Sequence, residues 1–181
     1  MIKKWEEKEE NHICSGALFN YFTKRRISPD GKKEGQFDIL ECSPWINIFA
    51  LNKESEVILV EQYRHGIDDV TLEIPGGGVN RGESFLEGAK RELLEETGYS
   101  SSDWVKLGEL QANPAFMTNT CTTFLALNCE KTQKQNLDPM EEIEVKLLSL
   151  KDFEKKMKNG EVAHSLVVSA YALYTLWKQD N

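Results

Sequence analysis

Glu92, Glu95 and Glu96 stand at i, i+3 and i+4 in the stretch Arg91-Glu92-Leu93-Leu94-Glu95-Glu96. On a helix that spacing puts three carboxylates on one face, within reach of one another. Like charges so placed repel, and nothing in folding requires them; bound divalent cations reverse the sign of the interaction. Hard oxygen ligands suit Mg2+, which keeps some waters and usually shares its remaining ligands with substrate phosphates. A bare E-x-x-E-E is also an ordinary solvated helix face, because Glu is a good exposed helix former. The residues around it must decide. Arg91, one turn before Glu95, can hold that carboxylate by a charge-assisted hydrogen bond.

The element that carries these residues is marked at both ends. Ser84 followed by Glu87 is a capping-box pattern, so the helix is predicted to start there and to end near Thr97, with Gly98 beyond it. A glycine-rich loop, Gly76-Gly77-Gly78, comes before it. Gly77, Glu83, Arg91, Glu92, Glu95, Glu96 and Gly98 together fit the pattern G-x5-E-x7-R-E-U-x-E-E-x-G-U, where U is bulky and apolar. On these residues the chain resembles the Nudix hydrolases; the one departure is Tyr99 at the last U. The resemblance implies Mg2+ or Mn2+ and hydrolysis of a nucleoside diphosphate linked to another moiety. Glu92 and Glu96 are then the first metal ligands, Glu95 serves a second metal or bridges, and the Gly76 carbonyl is a further ligand.

Residues outside the box narrow the resemblance. Glu61-Gln62-Tyr63-Arg64, then Leu72-Glu73-Ile74-Pro75-Gly76-Gly77, and Pro114 fifteen residues past Tyr99, look like the ADP-ribose pyrophosphatase branch. That branch usually has P-G-Y or P-G-F where this chain has Pro114-Ala115-Phe116, so another nucleotide sugar is open as substrate. The branch also implies a general base from the acidic loop after the box, here Glu141 or Glu142. Arg64, at the end of a strand, is the candidate phosphate clamp. Glu73 is placed to meet a ribose or to order the loop, and Trp45 or Phe116 to stack on a base, although an aromatic in an apolar strand is ordinarily core. GDP-mannose or a dinucleotide is the alternative substrate. A Nudix-like sensor that binds without cleaving is the alternative class.

The rest of the chain bounds the answer. A net charge of −8 over 181 residues argues against a nucleic-acid backbone as the main partner, and so against a decapping role as the alternative. There is no apolar run of membrane-spanning length and no secretory pattern behind MIKKWEEKEE, so a cytoplasmic protein with four reduced, partly buried cysteines is expected. Met1 to Asn11 reads as a frayed end or a segment docked by Trp5. His12 to Arg26 reads as one strand ending in a basic run, with Lys24 to Arg26 solvated. Strands are also expected at 37–41, 45–51, 56–64, 104–110 and 120–128, the stretch 141–148 begins acidic and becomes a strand, and helices are expected at 151–159 and 164–178. The expected fold is α+β: an α/β/α sandwich with a mixed sheet, residues 43–181, preceded by a small N-terminal antiparallel β-sheet, residues 1–42. By resemblance, that small sheet is exchanged with a second subunit to give a homodimer.

Overall fold

The computed structural model describes Met1–Asn181 as eleven strands and three helices: β1 Glu6–Ser15, β2 Phe19–Ile27, β3 Glu34–Cys42, β4 Trp45–Asn52, β5 Glu56–Arg64, β6 Asp69–Glu73, β7 Gly76–Gly78, α1 Phe85–Thr97, β8 Tyr99–Ser100, β9 Asp103–Gln111, β10 Thr120–Lys131, β11 Ile143–Ser149, α2 Leu150–Lys158 and α3 Ser165–Asp180. The chain divides into two compact units, one of Met1–Pro44 with Gln111–Thr120, the other of Trp45–Leu110 with Cys121–Asn181.

The first unit is an antiparallel sheet in the order β1-β2-β3. It corrects the expectation of a single strand over His12 to Arg26. The chain turns at Gly16, whose N–H donates to the Phe19 carbonyl at 2.8 Å, and the two halves pair from Glu6↔Ile27 to Ser15↔Asn20. Nor are Lys24 to Arg26 a free basic loop. They lie within β2 and face acids on both neighbours: Lys24 pairs with Glu7 and Glu10, Arg25 with Glu9 and Glu34, Arg26 with Glu7. Opposite charges directly across a strand pair favour one register, which is why so polar a segment is a strand and not a frayed end. Trp5 packs edge-on to Phe37 with ring centroids 5.9 Å apart. The segment 111–120 joins this unit through a parallel bridge between Leu40 and Met117.

The second unit is an eight-stranded mixed sheet with helices on both faces. Its order is β11-β5-β4-β10-β8, with β6 on β5, β7 on β4 and β9 on β10; β4 and β10 run parallel. Alternation along the strands divides the core in two. Phe49, Leu51, Val57, Leu59 and Leu125 face α2 and α3, meeting Phe153, Val167, Ala170 and Tyr174. Ile46, Ile48, Ala50, Ile58, Phe124 and Ala126 face α1, meeting Ala89 and Leu93.

One irregularity positions the site. β4 and β5 pair with each other only at Ala50↔Ile58 and Leu51↔Val57, then part. Beyond that point β5 takes β6, from Val60↔Glu73 to Arg64↔Asp69, and β4 takes β7, from Trp45↔Gly78 to Asn47↔Gly76. The Ile74-Pro75 bend sits in the fork, its Pro75 carbonyl accepting from the Ile48 N–H at 2.8 Å. The three glycines therefore form a strand because β4 offers its unpaired edge, not from any propensity of their own.

Candidate active site

α1 begins with the capping box read from the sequence: Glu87 N–H donates to Ser84 Oγ at 3.2 Å and Ser84 N–H donates to the Glu87 carboxylate at 2.9 Å. It ends at Gly98, which adopts φ 75° and donates its N–H to the Leu94 carbonyl. Ala89 and Leu93 anchor the helix on the sheet, and the opposite flank presents the charged residues to the glycine strand.

Arg91 is the hub of that flank. Its Nε and Nη2 donate to the two oxygens of Glu83 at 2.9 and 3.0 Å, Nη1 to Glu92 at 2.7 Å and to Glu95 at 3.0 Å, and Nη2 to the Gly78 carbonyl at 3.0 Å. These partners, Glu83 foremost, hold the guanidinium well above even its ordinary pKa. Glu96 turns the other way. Only 4% exposed, it accepts the Gly76 N–H at 3.0 Å. No three His, Cys, Asp or Glu side chains converge closely enough to hold an ion between them. The reason is geometric: Arg91 occupies the space between Glu92 and Glu95, and Glu96 is drawn to the loop.

The donor chemistry nonetheless fits a hard divalent cation. Burial pushes Glu96 up to about 8, and the Glu92 and Glu141 carboxylates add to that, against the opposing pull of the Gly76 N–H and Arg64. Burial likewise raises Glu92, opposed by Arg91 and assisted by Glu95 and Glu141. Two half-compensated carboxylates one helical turn apart lack positive charge, and they offer oxygen ligands of the kind Mg2+ and Mn2+ take. The Gly76 carbonyl belongs to the same strand turn.

At the fork, Arg64 donates to both oxygens of Glu73, at 2.8 and 2.7 Å, and Thr71 Oγ1 adds a third bond at 2.6 Å. Glu73 is 3% exposed. Burial pushes its pKa up, but Arg64 and Thr71 outweigh it and hold the carboxyl below its ordinary range. Glu73 thus orders Arg64, whose guanidinium also feels Glu96 and Glu141. Glu141 lies just ahead of β11. Its N–H donates to the Asp138 carbonyl at 2.9 Å, and its carboxylate accepts the Asp138 N–H at 3.1 Å. The β11–β5 register, Ile143↔Gln62 and Glu144↔Glu61, continued outward brings Glu141 level with Arg64. On the same alternation, 141 and 143 share the side of Val145, which packs in the α1 layer. Glu141 and Glu142 are both exposed and precede β11; continued outward, the alternation puts Glu142 on the other side.

Trp45 opens β4 opposite Gly78, half-buried. Phe116 belongs to the other unit, where its carbonyl accepts the Leu40 N–H at 2.7 Å. Sequence reasoning missed Gln135, whose side chain bonds two backbone carbonyls beside this site; a lone Gln in a polar loop carries no signal. It also left Gly77 as a general aid to close approach. A Cβ there would stand 2.4 Å from Glu92 Oε1, so the missing side chain is what admits that carboxylate.

The sequence profile of the NUDIX domain matches residues 44–167. The chain belongs to the Nudix hydrolases. This Nudix chain is 30% identical over 178 residues to "ADP-ribose pyrophosphatase" of Bacillus subtilis (strain 168), covering 97% of itself and 95% of that protein. It is 27% identical over 173 residues to "Methanol dehydrogenase activator" of Bacillus methanolicus, covering 94% and 93%. The crystal structure of an ADP compounds hydrolase superposes with a TM-score of 0.86 at 19% identity, covering 99% of this chain and 97% of that one. This bears out the expected Nudix fold, mixed sheet and small N-terminal sheet included.

Proposed function

We propose that this Nudix hydrolase cleaves the diphosphate of ADP-ribose or a related nucleoside diphosphate sugar, with Mg2+ or Mn2+, giving a nucleoside monophosphate and a sugar phosphate. The observation that carries the reading is the Glu96 carboxylate, 4% exposed and accepting the Gly76 N–H at 3.0 Å, one helical turn beyond Glu92 on α1. Near-complete alignment with an ADP-ribose pyrophosphatase supports the substrate class. Glu92 and Glu96 with the Gly76 carbonyl would hold the metal, and Glu95 a second one. When bound, the cation supplies charge neutralisation at the diphosphate and a lowered pKa for the attacking water.

The chain's own residues do the rest. Arg64, kept charged and aimed by Glu73, grips a phosphoryl oxygen. Arg91, locked by Glu83, fixes the rotamers of Glu92 and Glu95. Glu141 takes the proton from water as the water oxygen bonds to phosphorus and the bridging P–O bond breaks; the β11–β5 register, continued outward to Arg64, favours it over Glu142. Trp45 or Phe116 is the candidate base-stacking surface.

A panel of ADP-ribose, ADP-glucose, UDP-glucose, GDP-mannose and diadenosine compounds, compared by kcat/KM with Mg2+ and with products weighed by mass spectrometry, tests the reading. Preference for ADP-ribose, yielding AMP and ribose 5-phosphate, supports it. Preference for GDP-mannose or a dinucleotide redirects the substrate, and tight binding without turnover overturns hydrolysis in favour of a sensor.

We also propose that residues 1–42 form a dimerisation segment ahead of a catalytic domain, 43–181, in a homodimer. Supporting this, β1 is exposed along its whole length, and a three-stranded sheet has little core of its own. Mass measured by light scattering, against that of a chain lacking 1–42, tests it. A cytoplasmic location is proposed on the four free cysteines. No helix is long and apolar enough to cross a membrane.

A further inference from the structure

The last carbonyls of a helix have no partner within it and must find donors elsewhere. In α1, Gly98 N–H serves Leu94, and the segment after β10 serves the next two: Asn136 N–H donates to the Glu95 carbonyl at 2.9 Å, and the Gln135 side chain to the Glu96 carbonyl at 2.6 Å. Gln135 then does more than cap. The second hydrogen of the same Nε2 goes to the carbonyl of Ile143, the first residue of β11, at 3.1 Å. In the stretch 130–142 only Gln135 and Leu137 are even half-buried. Gln135 therefore spans from the helix end that carries Glu96 to the strand start that follows Glu141. With the side-chain oxygen turned inward, it would meet two carbonyl oxygens, so the amide has one stable orientation.

We propose that Gln135 is the positioning residue of the hydrolytic site: its carboxamide ties the last turn of α1 to the start of β11 and so fixes the Glu141 carboxylate relative to Glu92 and Glu96. The inference rests on Glu141 as the base. Without the tie, the loop is held to the end of α1 by backbone bonds that all lie ahead of the Asp138–Glu141 turn, from Asn136 N–H to Glu95 and from Thr132 and Gln133 N–H to Gly98. Loss of a supporting contact of this kind costs roughly ten-fold or more in activity.

Three near-isosteres separate the possibilities. Gln135→Met keeps the shape and removes the donors, Gln135→Glu replaces them with an acceptor, and Gln135→Lys restores donors beside a helix C-terminus. With Mg2+, Gln135→Met and Gln135→Glu are expected to lower kcat about ten-fold with KM unchanged, and Gln135→Lys to recover most of it. In a Glu141→Gln background, Gln135→Met is expected to add less than about two-fold, because the two act as one unit. An equal loss in both backgrounds, or wild-type kcat in Gln135→Met, overturns the proposal. If Glu141→Gln itself leaves kcat intact, the base reading fails. Hydrogen exchange on the metal-free protein then decides the tie alone: the Asp138 and Glu141 amides should exchange about ten-fold faster in Gln135→Met, with Leu93 unchanged. Unaltered exchange at 138 and 141 overturns the tie. Should Gln135→Met melt too low to assay, Gln135→Asn, one methylene short, breaks the same bonds under the same expectations.

Discussion

Glu96 is placed at a cost to stability that only function explains. Its pKa rises from 4.5 to about 8 through burial and neighbouring carboxylates. Between those values the folded chain binds more protons than the unfolded one, so stability falls as pH rises. The stability linked to protonated Glu96 is fully present below pH 4.5 and is lost as pH rises through about 8. Glu96→Gln is neutral at every pH and escapes this. In EDTA the variant is expected to melt above wild type by a margin that grows from pH 5 to pH 8 and then levels. With Mg2+ the same change is expected to cut turnover roughly a hundred-fold or more. Thermal melts across that pH range check the first half; a flat difference, or a lower melting point at pH 8, would remove the burial argument. The box residues themselves were legible in the sequence because spacing on a helix fixes which side chains share a flank. Their rotamers were not. That Arg91 parts Glu92 from Glu95, and that Glu96 turns to the Gly76 N–H, depends on the glycine strand docking alongside.

The glycine strand separates two jobs at adjacent positions. Neither Gly76 nor Gly77 has a positive φ, so an alanine at either place is limited by space alone. At Gly76 a Cβ would stand 2.4 Å from the Ile46 carbonyl oxygen, a backbone atom that cannot yield without breaking the β4–β7 pairing. At Gly77 the obstacle is the end of the Glu92 side chain, which can swing away. Gly76→Ala is therefore expected to lose stability by about 1–3 kcal/mol. Gly77→Ala should keep the melting point within a degree or two while kcat/KM falls roughly ten- to a hundred-fold. Denaturant melts beside kinetics check the contrast, and equal melting points for the two variants would defeat it. This element lay beyond sequence reasoning, since a glycine triplet carries no strand signal and pairs only because β4 and β5 part. α1 was legible for the opposite reason: cap, apolar spacing and terminal glycine are all local. The turn at Gly16 and the ion-paired β2 fall between, for cross-strand partners decide them.

Across the whole chain, the first forty-odd residues are not a removable prefix. The segment Gln111–Thr120, inserted between β9 and β10, belongs with them and not with the sheet that its neighbours build. Its backbone partners are in β3: Leu40 N–H donates to the Phe116 carbonyl at 2.7 Å, and Thr118 N–H to the Leu40 carbonyl at 3.0 Å. Cys42 N–H donates to Thr118 Oγ1 at 3.3 Å. A chain lacking 1–42 leaves Phe116 and Thr118 without those partners, and unpaired backbone reopens readily. The cooperative core made by Phe49, Leu125, Phe153 and Tyr174 is untouched. The truncated protein is thus expected to keep a cooperative melt yet to be nicked by chymotrypsin at Phe116, where the full chain is cut at least ten-fold more slowly. Timed proteolysis with fragment masses measures this. Equal rates at Phe116 in the two proteins would mean that the 111–120 segment holds its shape without β3. Loss of the cooperative melt would mean that the larger unit cannot fold without the smaller.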